Sequence, residues 1–486
     1  MFCKILEKYN GLSIRIRATI WFFVCSFLHK GIIAITTPIY TRLLSVEEYG
    51  QYSVFVSWES ILAVFITFSL TSGVYMQGLV KYEEERDQYT SSLQGLTFTL
   101  VLIWFGIYWL FRDFFNTLFS LTTLQMIALF IVAWTSSVFG FWSSYQRVDY
   151  KYKKLVQLTL LFSVGQPIIS ILFIMVARDK VTARILGQVI VQMVLFSGLF
   201  VSQMRRGGKF YVWKFWKHAL LFNLPLIPHY LSNTILNSAD RIMISKMVGE
   251  AEAGVYSLAY SVAMLMTMFN TALQQTLQPW RYKKQKSGQQ EDMAQIAYPT
   301  LILIAGLNLC LIALAPEIVA IFAPTEYYDA IWIIPTVSMS TYFMYTYGWF
   351  ANFEFYFEKT KYIMIATASG AVLNIILNYI FIDLFGYLAA GYTTLVCYIV
   401  YSLMHYYFMR IICKKYLPGK KIYDVKIIAG ISIAFMLCGF ILLFTYTNRI
   451  LRYCVIFGMV SFIIVKRRYI YNIVQQLIGI RSGGGA

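Results

Sequence analysis

Long apolar stretches alternate with short polar segments along the 486 residues of the chain. A helix that crosses hydrocarbon needs about 20 mainly apolar residues, because every backbone polar group must be satisfied inside the segment. Runs of that kind lie near 17–41, 51–76, 91–111, 119–143, 155–177, 185–203, 219–240, 254–280, 294–315, 329–353, 362–382, 386–409, 427–446 and 450–465. The pattern predicts an all-α membrane protein with about fourteen transmembrane helices. The runs lack the strict alternation of barrel strands and are too long for them.

The distribution of cations orders these spans. With the N-terminus placed in the cytoplasm, 31 of the 41 Lys and Arg fall on inside segments and 9 on outside loops. The remaining cation, Lys30, falls within the first span. Such a bias sets the orientation of a multi-pass protein. It predicts an even number of spans with both termini cytoplasmic. The polar segment 471–486, ending Gly483-Gly484-Gly485-Ala486, is expected to be a cytoplasmic tail.

Composition agrees. The chain is 59% hydrophobic and 13% charged, against about 25% charged in soluble domains. The formal charge of +18 would suggest nucleic acid in a soluble protein, but here it lies in short inter-span segments, so nucleic-acid binding is not expected. Cys3, Cys25, Cys310, Cys397, Cys413, Cys438 and Cys454 form no Cys-x-x-Cys pair and sit mostly in apolar runs. They read as small hydrophobes rather than disulfides or metal ligands, and no cofactor is implied. The basic N-terminal segment carrying Lys4, Lys8, Arg15 and Arg17 leads into an apolar run longer than a signal peptide's.

One pattern occurs twice. Arg42, Glu48, Gly50, Tyr52, Ser53 and Ser57 are followed 204 positions later by Lys246, Glu252, Gly254, Tyr256, Ser257 and Ser261. Capping chemistry explains each copy, but not the duplication at constant spacing. The offset corresponds to about six spans, so the two halves have the same orientation. The expected plan is an N-terminal six-helix lobe over 1–204, a second over 205–412, and two additional helices within 413–470. Two lobes related in this way suit alternating access.

The segment Thr37-Pro38-Ile39-Tyr40-Thr41-Arg42-Leu43-Leu44-Ser45-Val46-Glu47-Glu48-Tyr49-Gly50 resembles the N-terminal signature of polysaccharide flippases. Asn237-Ser238-Ala239-Asp240-Arg241-Ile242-Met243-Ile244, followed by Ala253-Gly254-Val255-Tyr256-Ser257, resembles the signature that opens their second lobe. The family belongs to the multidrug/oligosaccharidyl-lipid/polysaccharide exporter superfamily. The resemblance implies two six-helix bundles forming a V around a central cavity, often with two C-terminal helices added. It also implies a substrate, an undecaprenyl-diphosphate-linked oligosaccharide for O-antigen or capsule (lipopolysaccharide or related polysaccharide) biosynthesis. Membrane lipid would surround the protein, and polymerase and chain-length proteins of the same pathway would be further partners.

Ionisable groups within spans are the natural candidates for substrate contact, since burying them in hydrocarbon is costly. They are Lys30, Glu59, His229 and, at the inner end of the eighth span, Arg281. An ammonium or guanidinium suits a diphosphate by charge and donor count. Lys30 and Glu59 lie at similar depths, and two readings are open: a static ion pair between helices, or a substrate cation that Glu59 competes for. Pro225 and Pro228 interrupt the hydrogen-bond ladder of the seventh span. With Arg42, Asp240 and Arg241, they are candidate gate or lobe-interface residues. Glu47 and Glu48 read as loop and capping residues. The cluster Lys81–Asp87 reads as a solvated loop. The basic stretches Arg205–Lys217 and Lys414–Lys426 read as orientation signals that can also meet anionic headgroups.

Two other functions compete. A drug or metabolite antiporter of the same superfamily would need acidic groups deep in one lobe, and Glu59 is the one such acid in the spans as read. A membrane polysaccharide polymerase would need a sizeable outer loop with catalytic groups, whereas these loops are short and carry no Asp-x-Asp motif. His218 and His405 fall at span edges with no acid nearby in sequence. No phosphate-binding Gly-x-x-x-x-Gly-Lys-Ser/Thr loop occurs, so ATP hydrolysis is not expected. The chain therefore reads as a transporter and not an enzyme, with no catalytic residues and no metal site.

Overall fold

The computed structural model describes residues 14–465. Cys3, Lys4, Lys8 and the expected tail at 471–486 lie outside them. Everything described is helix or connecting turn, with no strand among the described residues. The chain divides into two compact units between Ala253 and Gly254.

The first unit contains α1 (Ile14–Leu43), α2 (Val46–Thr67), α3 (Val74–Lys81), α4 (Arg86–Leu110), α5 (Arg112–Phe119), α6 (Thr123–Val148), α7 (Tyr152–Val176), α8 (Lys180–Gly207), α9 (Trp213–Asn223) and α10 (Ile227–Met247). Helix α11 (Glu250–Ala263) begins in it and runs into the second unit. The second unit continues with α12 (Met266–Lys286), α13 (Met293–Ala313), α14 (Ala315–Phe322), α15 (Ala330–Tyr356), α16 (Thr360–Phe385), α17 (Ala389–Tyr416), α18 (Val425–Phe444) and α19 (Arg449–Val465). The division falls beyond the expected lobe boundary at 204/205, because α10 packs along α2 and so belongs with the first unit.

Among the described residues, eight helical segments are long and apolar enough to cross a membrane: 83–110, 123–148, 152–176, 180–207, 290–313, 360–385, 389–416 and 425–447. Each coincides with an expected span. Three other expected spans are interrupted. The span at 51–76 splits into α2 and α3, that at 219–240 into α9 and α10, and that at 254–280 into α11 and α12. The expected spans at 17–41, 329–353 and 450–465 fall on α1, α15 and α19.

Two of these interruptions have a local cause or signature. Helix α2 starts with a reciprocal cap, in which the Glu48 amide donates to Ser45 Oγ at 3.2 Å and the Ser45 amide to Glu48 Oε2 at 2.8 Å. It ends where Phe68 and Ser69 both take the left-handed conformation, each at φ 50°, which costs a residue with a Cβ and stops the helix. Between α9 and α10 the chain makes a 3-10 turn over Leu224–Leu226, with Pro225 in the turn and Pro228 in the first turn of α10. The missing proline donors suit a helix start.

Apolar packing holds the elements. In the first unit, Phe55, Val101, Tyr108, Phe119, Met126, Leu129 and Ile185 form one buried cluster. A second gathers Leu70, Tyr75, Tyr89, Leu93, Phe141 and Phe215 around α3. Helices α7 and α8 meet closely at Gly187, where a Cβ would lie 2.5 Å from Ser170 Cα. Small residues at such a crossing let membrane helices mesh by van der Waals contact.

The duplicated motif has a structural counterpart. Tyr52 donates to Gln188 Oε1 on α8 at 3.2 Å. Tyr256, its partner in the repeat, meets Thr394 Oγ1 on α17 at 3.4 Å. Helices α8 and α17 are each 28 residues long and fall on the sixth expected span of their half. In both halves the motif tyrosine thus joins the second helix to the sixth.

Candidate functional site

In the first unit, α1 packs on α7 while α2 packs on α10 and α6. Lys30 and Glu59 therefore sit on helices with different principal partners. Among the described residues no ion pair joins them. His29, beside Lys30, is tied to α7 by a 2.6 Å contact between its Nδ1 and Ser163 Oγ. Lys30 is half-buried and has no hydrogen-bond or ion-pair partner among the described residues. The same holds for Glu59. The structure thus lacks the static pair.

The other candidates of this unit lie on α10, in the turn before it, and at the C-terminal end of α1. His229 is half-buried, its ring 5.8 Å from that of Tyr230, and its Nδ1 is buried without a partner. Asp240 is buried. Arg241 donates to the Asn237 carbonyl at 3.0 Å. Arg42 donates to the Pro38 carbonyl at 2.8 Å and is exposed. Lys246 donates to the Leu118 carbonyl at 2.5 Å and lies 5.6 Å from the Trp58 ring. Pro225 and Pro228 stand at the real break in the chain, immediately after Asn223. The Asn223 side chain is fully buried and donates to the carbonyls of Phe68 and Ser69.

Arg281 belongs to the second unit, where it is 3% exposed. Its Nη2 donates to Gln274 Oε1 at 2.6 Å and its Nη1 to the Gly348 carbonyl at 3.2 Å, with the guanidinium 5.0 Å from the Trp349 ring. Asn270 donates to the Thr341 carbonyl, Gln274 to that of Tyr345, and Gln285 to Asn352 Oδ1. These bonds form a polar seam that fastens α12 along α15. In this arrangement Arg281 is a clamp within that seam.

Three features escaped the sequence reading. The first is Glu354 on α15, fully buried, whose Oε1 lies 2.7 Å from Nδ1 of the buried His405 on α17. The rings of Tyr347 and Tyr401 lie against this imidazole at 5.2 and 4.5 Å. His405 has no acid near it in sequence, and the fold supplies one from 51 positions away. Glu59 is accordingly not the one acid deep in a unit. The second is Arg184, whose guanidinium sits between the rings of Tyr40 and Tyr52, 3.7 and 3.5 Å from their centroids. Tyr40 stands in the signature segment and Tyr52 in the repeated motif, but no sequence pattern ties Arg184 to them. The third is Asn223, which nothing in its sequence context marks.

No group of three or more His, Cys, Asp or Glu among the described residues could hold a metal ion. The chemistry on view is that of transport: mid-helix charges of both signs, and broken helices with polar faces. The unbroken apolar helices of 1.5 Å rise per residue act as scaffold around them.

A family model described as polysaccharide biosynthesis protein matches residues 16–285, and the MatE model matches 225–380. A protein of the Lsg locus of Haemophilus influenzae is 26% identical over 211 residues, which are 41% of this chain and 51% of that protein. The chain thus spans about half the length of that curated relative. An uncharacterized membrane protein of the same bacterium is 21% identical over 345 residues, 69% of this chain and 82% of the other. The solved structure of the lipid II flippase MurJ in an inward closed conformation superposes with a TM-score of 0.72 at 15% identity, covering 93% of this chain and 100% of that one. An inward-facing multidrug resistance MATE transporter of the MOP superfamily gives 0.62 at 14% identity, covering 80% and 96%. At these identities the structural likeness is one of fold, and the fold is that of transporters and flippases rather than of enzymes. The first family match covers more than half of the chain, and this multi-pass membrane protein belongs to the polysaccharide biosynthesis protein family, on a fold shared with the MurJ and MATE structures.

Proposed function

We propose that the protein flips undecaprenyl-diphosphate-linked oligosaccharide repeat units from the cytoplasmic to the outer face of the bacterial inner membrane, for O-antigen or capsule biosynthesis, by alternating access. The observation that carries the reading is Lys30: an ammonium in the middle of a helix, half-buried and without a carboxylate partner among the described residues. A diphosphate is the complementary group. Glu59, also unpaired, would repel the same anion and help to release it. His229 is a further donor at a broken helix, and Arg281 supports the second unit from within its seam. Pro225 and Pro228 give the chain a place to bend, while Arg42, Asp240 and Arg241 sit where an outer gate would close.

The second helix of each half is interrupted, as is the first helix of the second half. Discontinuous helices at matching places of two repeats are the usual pointer to a transport pathway. Each negative charge moved outward down a membrane potential releases about 2.3 kcal/mol per 100 mV, so the potential itself favours export. Polymerase and chain-length proteins of the pathway are the expected partners.

The test is complementation of a strain lacking its own polysaccharide flippase, in its native glycan background, scored by surface glycan. Wild type should rescue, and Lys30→Ala at matched membrane expression should not. Rescue by both removes the role given to Lys30. Failure of an inserted wild type in the matched background removes flipping. A second reading, antiport of a drug or metabolite, gains support from one observation, the buried Glu354, and predicts export of a cationic dye by wild type that Glu354→Gln abolishes.

A further inference from the structure

The connector between α8 and α9 combines two features that ordinary solvated loops do not share: exposed aromatic rings and a backbone held in place. The membrane-length helix 180–207 ends at Gly207, so the connector lies at the level where hydrocarbon gives way to headgroups. Its backbone is fastened to α4 at successive points. The Ser91 hydroxyl donates to the Lys209 carbonyl at 2.9 Å, the Val212 amide to Ser92 Oγ at 3.1 Å, and Trp216 Nε1 to the Ser92 carbonyl at 2.8 Å. A Cβ on Gly95 would lie 2.1 Å from the Phe210 carbonyl oxygen, so only a glycine lets the connector seat this closely. Phe215 and Ala219 turn inward and are fully buried.

Facing outward, Tyr211 and Trp213 are 56% and 58% exposed. They are interleaved with the exposed cations Arg205, Lys209 and Lys217. None of these three has a carboxylate within ion-pair distance among the described residues. The neighbouring acids are already engaged, Glu85 by Lys214 at 2.6 Å and Asp87 by Arg206 at 3.9 Å. The surface therefore presents unneutralised positive charge beside rings that favour the headgroup region.

We propose that this connector is a docking surface for anionic phospholipid headgroups of the surrounding membrane. Arg205, Lys209 and Lys217 meet the phosphate, and the Tyr211 and Trp213 rings lie at the level of the glycerol and upper chains. Anionic lipid is the occupant because the rings stand at a membrane boundary and the charge is complementary to a phosphodiester. The inference does not depend on what the protein transports.

The test uses the purified full chain in mixed micelles, titrated with dioleoylphosphatidylglycerol or dioleoylphosphatidylcholine and read by native mass spectrometry. Wild type should bind phosphatidylglycerol in preference to phosphatidylcholine. Lys209→Gln/Lys217→Gln should weaken that binding about 30-fold, from two lost headgroup charges. Trp213→Ala should weaken both lipids. The charge-matched variant Lys283→Gln/Lys286→Gln, altered at exposed lysines elsewhere, should bind as wild type does. Thermal unfolding of each variant should match wild type, since the altered groups are exposed. Undiminished phosphatidylglycerol binding by Lys209→Gln/Lys217→Gln overturns the proposal, as does an equal loss in the charge-matched variant. Displacement of the lipid by millimolar inorganic phosphate would identify a phosphate site instead and overturn it too. Loss of lipid preference on addition of an acidic soluble protein of the same pathway would identify a protein-docking face, with the same consequence.

Discussion

Asn223 donates to the carbonyl of Phe68 at 2.8 Å and so joins two breaks in the chain that are 155 residues apart in sequence. One break is the left-handed pair Phe68 and Ser69 that ends α2; the other is the proline turn that follows Asn223. A second bond from the same carboxamide reaches the Ser69 carbonyl at 2.9 Å. The freed carbonyls of an interrupted helix are thus satisfied by a side chain that is itself at an interruption.

Asn223→Ala should therefore lower stability by about 1–3 kcal/mol, the cost of leaving buried acceptors unpaired. Asn223→Asp should be worse than alanine, because it sets a carboxylate against two carbonyl oxygens. Thermal unfolding of the purified protein in detergent, followed by tryptophan fluorescence, would register both. An unchanged midpoint for Asn223→Ala would mean that water satisfies the carbonyls equally well.

The separation of Lys30 from Glu59 makes a quantitative prediction. Residues that do not interact contribute additively, within about 0.3–0.5 kcal/mol. The stability change of Lys30→Ala/Glu59→Gln should equal the sum of the single changes. A coupling energy well beyond that range would reveal a pair that forms in solution.

For Glu354 and His405 the opposite holds. His405→Ala leaves a buried carboxylate without its partner and should cost about 3–5 kcal/mol. Replacing both, as Glu354→Gln/His405→Phe, should recover much of the loss because no charge is then left buried. Yield of folded protein on size-exclusion chromatography would separate the single from the double variant. Equal yields would mean that the pair contributes little.

Arg184 tests the aromatic sandwich. Tyr52→Phe keeps the ring and removes only the bond to Gln188, at about 1 kcal/mol. Tyr52→Ala also removes a face from a buried guanidinium and should cost about 2 kcal/mol more. If the two variants unfold at the same temperature, the ring contributes nothing beyond its hydroxyl.

At the start of α18, outside the membrane, Asp424 caps the helix through the Lys426 amide at 3.0 Å and receives the Lys421 ammonium at 3.1 Å. The hydrogen bond from Lys421, and then that from the Lys426 amide, hold its carboxyl below the ordinary aspartate value. A depressed acid stabilises the folded state above its unfolded value and loses that effect as pH falls through the folded one. Amide exchange at the first turn of α18 should accelerate below about pH 4, and Asp424→Asn should flatten that response.

Much of the architecture was legible in the chain because burial in lipid imposes long apolar runs, and the eight unbroken helices follow them. The repeat was legible because Tyr52 and Tyr256 perform one task twice. The Ser45–Glu48 cap could be read because it is local, with partners three residues apart. The break at Phe68 and Ser69 could not, since neither is a glycine or proline and the turn is secured by Asn223 from far along the chain. The pair of Glu354 and His405 was hidden for the same reason: His405 read as an isolated group at a span edge, and its acid lies 51 positions away on another helix. Arg281 was visible as a buried-depth cation, but its engagement with Gln274 and Gly348 depends on α12 lying against α15.

The close meshing of Gly187 with Ser170 bears on the order in which the protein is made. Helices α7 and α8 are consecutive, joined by the short link 177–179, and the contact of Gly187 with Ser170 spans only 17 positions of the chain. Contacts that close small loops form early. This hairpin can therefore assemble as soon as its second helix leaves the ribosome and enters the bilayer, before any of the second unit has been synthesised. A bulkier residue at 187 would be felt during biogenesis, as a hairpin that never zips, rather than as a slower finished protein.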